Sequence, residues 1–214
     1  MLFAREGADV VFTYLDEHDD AMETAEQVRA EGARCLAIAG DLKDPEFCKQ
    51  IVADTVHDMG GLDVLVNNAA VQYSRETLQD ITLEQLDETF RTNIYAYILV
   101  TQAALEHLPE ETGAIVNTTS ITAYRGSDHL MDYAATKAAG ELLALAEDAP
   151  DFRVLVLRPH LMWGPGDTQL TERIITRARQ NRLPLLDGGT ALIDTLFLAY
   201  GVEAIVGAVA AVDT

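Results

Sequence analysis

The chain has 214 residues, 49% of them hydrophobic and 23% charged, with mean hydropathy near zero. These proportions suit one soluble globular domain long enough to bury a real core, and exclude disordered, collagen-like and membrane-embedded chains. The 15 Lys+Arg against 35 Asp+Glu give a net charge of -20, which repels nucleic-acid phosphates and anionic lipid at long range. No basic patch offsets it, so neither nucleic acid nor membrane is expected as a partner.

In chain order, Met1–Glu6 lacks a basic region followed by an apolar run, so no signal peptide and a cytoplasmic location are expected. Leu2–Ala8 reads as the last turn of a helix, a Gly cap and the lead-in to a strand. Short apolar runs predict strands at Val10–Tyr14, Cys35–Ala39, Val64–Asn67, Ala114–Thr118 and Val154–Leu157. Helical patterns lie between them at Asp20–Glu31, Pro45–Met59, Leu83–His107 and Tyr133–Ala146. Asp44-Pro45 supplies an N-cap and a helix-starting proline. The apolar tail from Ala191 to Val212 is interrupted by Asp194, Glu203 and two glycines, and is expected to form a strand or turn and then a buried helix.

This alternation predicts an α/β, doubly wound parallel sheet of Rossmann-like type in a single domain over residues 1–214. Such folds open with a strand, a glycine-rich turn and a helix whose N-terminus receives a pyrophosphate. Neither GxxxGxG nor GxGxxG occurs here, so the first strand and its Gly-rich turn are expected to be lacking.

Tyr133 and Lys137 are four apart and share a helix face, where an ammonium can lower the pKa of a phenol and fit it for proton transfer near neutral pH. Ser120 ends the Ala-Ile-Val-Asn-Thr-Thr-Ser strand, within reach of the same substrate oxygen. Asn93 lies on the long helix, and Asn67-Asn68-Ala69-Ala70 ends the third strand. Each has a plainer reading: Ser120 as a strand-end hydrogen-bonding residue, Asn93 as a satisfied amide at a helix kink, Asp41 as a turn former. Cys35 and Cys48 are too few and too far apart for a redox pair, zinc site or disulfide framework. His57, His107, His129 and His160 have no metal-site spacing, and Trp163 reads as packing near the site.

Taken together, the Asp-x-Leu-Val-Asn-Asn-Ala-Ala strand, the helix Asn, the strand-end Ser and YxxxK resemble the short-chain dehydrogenase/reductase family in order and spacing. The resemblance implies an NAD(P)-dependent oxidoreductase moving hydride between nicotinamide and a small-molecule secondary alcohol or carbonyl. It implies Tyr133 as general acid/base, Ser120 orienting the substrate oxygen, Lys137 lowering the tyrosine pKa and holding the nicotinamide ribose, and Asn93 anchoring a relay water. For the cofactor it implies Asp41 and Leu42 at the adenine, Asn68, Ala69 and Ala70 beside the adenosine ribose, and Pro159 and Met162 at the nicotinamide. Ala70 replaces the family's commoner glycine.

Asp16 and Glu17 after the first strand tilt the expected choice toward NAD over NADP. Residues 1–137 resemble the classical, glucose-dehydrogenase-like branch; residues 138–214, with Arg158–Asp167 and Asp187–Thr190, resemble the extended branch of sugar-nucleotide epimerases. Family members pair through the two long helices, implying a homodimer or homotetramer. The competing expectations are a non-catalytic or truncated member of the fold with impaired cofactor binding, and an epimerase or dehydratase.

Overall fold

The structure, a computed structural model, describes residues 2–110, 112–146, 154–159, 161–164, 171–180, 182 and 195–212. A short helix α1 (Leu2–Arg5) leads into strand β1 (Val10–Tyr14). Gly7 turns the chain between them at φ 94°, while the Gly7 and Ala8 N–H groups donate back to Ala4 and Phe3. That is the helix end and Gly cap expected from the sequence.

Helix α2 (His18–Ala30) follows, two residues earlier than expected, then β2 (Cys35–Ala39). Helix α3 (Pro45–Met59) has the expected bounds. The Asp44 carboxylate accepts from Glu46 N–H, Pro45 occupies the first turn, and Gly60 closes the helix in the left-handed region. Strands β3 (Val64–Asn67), β4 (Ala114–Thr118) and β5 (Leu155–Leu157) match their expected runs, β5 starting one residue late.

The long helix expected over Leu83–His107 is three segments: α4 (Leu83–Phe90), a π-helical turn at Arg91–Tyr95, and α5 (Ala96–Leu105). A 3.6-residue apolar pattern does not reveal one wide turn inside it. Helix α6 (Thr122–Arg125) precedes α7 (Met131–Ala146), which begins two residues before the expected start. Strand β6 (Leu161–Trp163), helix α8 (Thr171–Arg179), strand β7 (Thr195–Phe197) and helix α9 (Leu198–Val212) complete the described chain. The tail is thus a strand and then a helix, and among the described residues no helix is long and apolar enough to cross a membrane.

All the pairings are parallel, and they come in pieces: β1 with β2, then β3-β4-β5, then β6 with β7. Among the described residues no strand pairs with the second edge of β1 or of β3, which accords with the expected lack of a strand. What joins these two pieces is side-chain packing. Cys48, Ile51 and Val52 of α3 and Ala96, Val100 and Ala104 of α5 form the buried core, against which Ile38 and Leu42 pack from the β2 side and Leu65 from β3. His160, Pro165–Asp167, Asp187–Thr190 and the side chains of Met162 and Trp163 lie outside the described residues, and with them most of the extended-branch resemblance.

Candidate active site

Parallel strands carry their carboxyl ends to one side of a sheet, where open α/β folds place their ligand crevice. Four of the expected segments follow such ends: Asp41-Leu42 after β2, Asn68–Ala70 after β3, Ser120 after β4 and Pro159 after β5. Asn67, at the end of β3, is buried and donates to Thr101 Oγ1 (3.0 Å) and Asn117 Oδ1 (2.8 Å), fixing the strand end. Asn68 and Ala70 beyond it are exposed. Asp41 turns the backbone, its Oδ1 accepting from Lys43 N–H at 2.9 Å, and its Oδ2 lies 3.5 Å from Lys43 Nζ, which also bonds Glu88 Oε1 at 3.2 Å. Leu42 packs inward on the core, and its carbonyl accepts from Cys48 Sγ–H.

Tyr133 and Lys137 stand on successive turns of α7. Lys137 is 3% exposed, and burial alone pulls its ammonium down to about 8. It donates to the Thr118 carbonyl at 2.8 Å and to the Tyr97 hydroxyl at 3.3 Å. Its Nζ lies 5.3 Å from the Tyr97 ring centroid and 5.6 Å from that of Tyr133, close enough for attraction to both ring faces.

Burial raises the Tyr133 phenol, and a hydrogen bond with Ser120 pulls it back. Ser120 thus supplies a downward influence on the phenol. The physical reason is visible in the hydroxyl's partners. Ser120 Oγ accepts from Thr122 N–H (3.2 Å) and Thr122 Oγ1–H (3.1 Å), which leaves its own proton to point at the phenol oxygen and favour the phenolate.

Asn93 sits in the π-helical turn, 1% exposed. Its Oδ1 accepts from Val71 N–H (2.8 Å), and its Nδ2 donates to the Val71 carbonyl (2.9 Å) and to Thr136 Oγ1 (3.1 Å). The widened turn aims the carboxamide across to the loop after β3 and to α7. The side-chain amide is thus satisfied by protein groups at a helix irregularity.

Two neighbours escaped the sequence reading. Asp132, 3% exposed, accepts from Gln85 Nε2 (2.8 Å), Thr89 Oγ1 (3.0 Å) and Tyr133 N–H (2.9 Å), while Gln85 Oε1 accepts from Arg75 Nε (2.7 Å). This network ties α4, the loop after β3 and the start of α7 together. The other is Tyr97. At the far end of α7, Glu141 accepts from Arg158 Nε at 2.7 Å, tethering the helix to the segment that carries Pro159.

The family model described as "short chain dehydrogenase" matches residues 1–172. The chain belongs to the short-chain dehydrogenase family. It is 46% identical over 167 residues to general stress protein 39 of Bacillus subtilis (strain 168), a match spanning 76% of this chain and 58% of that protein. Against the NADPH-dependent aldehyde reductase 1, chloroplastic, of Arabidopsis thaliana, identity is 41% over 175 residues, 76% of this chain and 60% of that one. The chain thus spans about three fifths of the curated relatives it matches. A solved short-chain dehydrogenase from Burkholderia cenocepacia J2315 in complex with NADP superposes with TM-score 0.76 at 32% identity, covering 96% of this chain and 81% of that one. The Rossmann-like α/β architecture expected from the sequence is therefore that of this family of oxidoreductases.

Proposed function

We propose that this short-chain dehydrogenase interconverts a secondary alcohol and a carbonyl at the expense of a nicotinamide dinucleotide, with Tyr133 as general acid/base. The observation that carries the reading is the meeting of Ser120, Tyr133 and Lys137 at the end of β4. A dinucleotide fits two of its three expected stations. The exposed Asn68 and Ala70 offer a surface beside an adenosine, and Tyr133, Lys137 and Pro159 are the residues that the resemblance sets at the nicotinamide end. For the pyrophosphate the sequence offers no glycine-rich turn.

When bound, a reduced nicotinamide supplies the hydride. The chain's own part in the reducing direction is to give the Tyr133 hydroxyl proton to the carbonyl oxygen, and the single Ser120 hydroxyl proton then stabilises the phenolate left behind. The Lys137 ammonium compensates the same charge. Solved and curated relatives named for NADP or NADPH lend the NAD tilt of Asp16 and Glu17 no support, so NADPH is the first cofactor to test. Exposed Leu142, Leu143 and Leu145 on α7 and Leu105 on α5 support pairing of two copies, which light scattering would register as at least twice the monomer mass.

The test is a panel of aldehydes, ketones and polyols with NADPH or NADH, followed by nicotinamide absorbance. Turnover is expected, with Tyr133→Phe lowering it about a hundred- to ten-thousandfold. Unchanged turnover in that variant would sink the assignment. The split between β1 and β3 favours a second reading, a member of the fold with impaired cofactor binding. Calorimetric titration separates the two: micromolar NADPH binding supports the enzyme, and no binding supports the alternative.

A further inference from the structure

Among the described residues Lys137 has two hydrogen-bond acceptors, the Thr118 backbone carbonyl and the Tyr97 hydroxyl, and only the second is a side chain. Tyr97 is the second residue of α5, one turn beyond Asn93, and its partly buried hydroxyl reaches Lys137 Nζ across the helix interface. The Asn93 side chain is committed to Val71 and Thr136. The lysine therefore stands between two phenols, bonded to one and facing the rings of both.

We propose that Tyr97 is a positioning residue of this site, its phenol oxygen holding the Lys137 ammonium between the two rings and so fixing a positive charge beside the proton-transferring Tyr133. The inference rests on the reading of Tyr133 and Lys137 given above. Geometry makes the arrangement specific. The Thr118 carbonyl takes one ammonium N–H from the strand side, and Tyr97 takes a second from the helix side. Two anchors in different directions define where the charge sits; the carbonyl alone would leave the long side chain free to swing about it.

Among the described residues the titratable groups facing Lys137 are Tyr97 on α5 and Tyr133 on α7. From β4 and its end come only the Thr118 carbonyl and the Ser120 hydroxyl, and the charges of Glu141 and Arg158 are paired with each other. A phenol oxygen accepting from an ammonium favours the charged form, so removing it while burial remains must lower the pH at which Lys137 gives up its proton. One hydrogen bond to a charged group corresponds to a shift of about one pH unit.

The experiment uses the full chain labelled with ¹³Cε-lysine. The sequence has three lysines, Lys43, Lys49 and Lys137, so the titration of each is resolved and assigned by substitution. Tyr97→Phe keeps the ring and the packing and removes only the oxygen. It is expected to lower the Lys137 midpoint by about one unit. The exposed Tyr95→Phe, two residues away, is expected to leave it in place.

An unmoved or raised midpoint in Tyr97→Phe, or an equal shift in Tyr95→Phe, overturns the proposal. A second measurement needs no variant: in wild-type chain labelled with ¹³Cζ-tyrosine, the Tyr97 resonance is expected to inflect at the Lys137 midpoint, and a flat trace there overturns it too. Neither reading depends on turnover. Full activity in Tyr133→Phe would remove the proton-transfer role of Tyr133, whereas an unmoved Lys137 midpoint in Tyr97→Phe beside an inactive Tyr133→Phe would remove only the role of Tyr97.

Discussion

A lysine held 3% exposed beside two phenols sets a sign on the stability of the molecule as well as on its chemistry. Burial lowers the Lys137 ammonium to about 8, whereas an unfolded lysine titrates near 10.4. Between these values the unfolded chain holds a proton that the folded chain has lost, so this group's contribution to stability rises with pH across that window. Below pH 8 both states are protonated, and the folded state carries the whole cost of the buried charge, about 3 kcal/mol. Lys137→Met is accordingly expected to stabilise the fold at pH 7 by about 1–3 kcal/mol in urea denaturation, less than the full cost because the Thr118 and Tyr97 bonds go with it. The gain should shrink as pH approaches 10. A less stable variant at pH 7 would mean that the two hydrogen bonds outweigh the desolvation.

At the level of elements, the π-helical turn and the start of α7 hold the site together through buried polar bonds that packing alone would not supply. Asp132→Ala leaves Gln85 Nε2 and Thr89 Oγ1 without their acceptor inside the protein, and should cost about 2–4 kcal/mol in denaturant unfolding. Asp132→Asn, which keeps an acceptor oxygen, should recover part of it; equal losses in both variants would point to charge rather than hydrogen bonding as the cause. This network also marks the boundary of what the sequence makes legible. The strands β1 to β5 stand out because each is a short apolar run between polar residues, and α3 because Asp44-Pro45 and Gly60 punctuate both ends. Ser120, Tyr133 and Lys137 are legible as a set because their order and spacing are fixed by one strand end and one helix face. Asp132 is not, since an acid in a first helical turn reads as a complement to the helix dipole. Tyr97 is not either, because within Ala-Tyr-Ile-Leu-Val it reads as one more apolar position. Strand β6, with three residues, and α8, whose Ile174 and Ile175 are exposed neighbours rather than a buried stripe, carry too little pattern to be seen.

For the whole molecule, the decisive feature is that the sheet is divided while the core is shared. Val10 N–H donates to the Arg34 carbonyl and Gly40 N–H to that of Tyr14, so the alternation of a parallel ladder turns the N–H groups of Phe12 and Tyr14 toward β2 and those of Val11 and Thr13 to the opposite edge. On β3, Ala114 N–H donates to the Asp63 carbonyl, which turns Leu65 and Asn67 toward β4 and Val64 and Val66 away from it. Among the described residues two edges are thus left without a ladder, and a two-stranded parallel sheet has little stability of its own; α2 and the α3–α5 core must keep β1 and β2 in place. Repulsion within a chain of net charge -20 works against that packing, and salt should relieve it. Amide hydrogen exchange reads the division residue by residue. Phe12 and Leu65 should exchange slowly, and Val11, Thr13, Val64 and Val66 on the order of a hundredfold or more faster, because the first pair must break a ladder bond and the others need only meet water. If Val11 and Val66 are protected as well as Phe12 and Leu65, a strand from elsewhere fills the division, and the case for impaired cofactor binding loses its structural support.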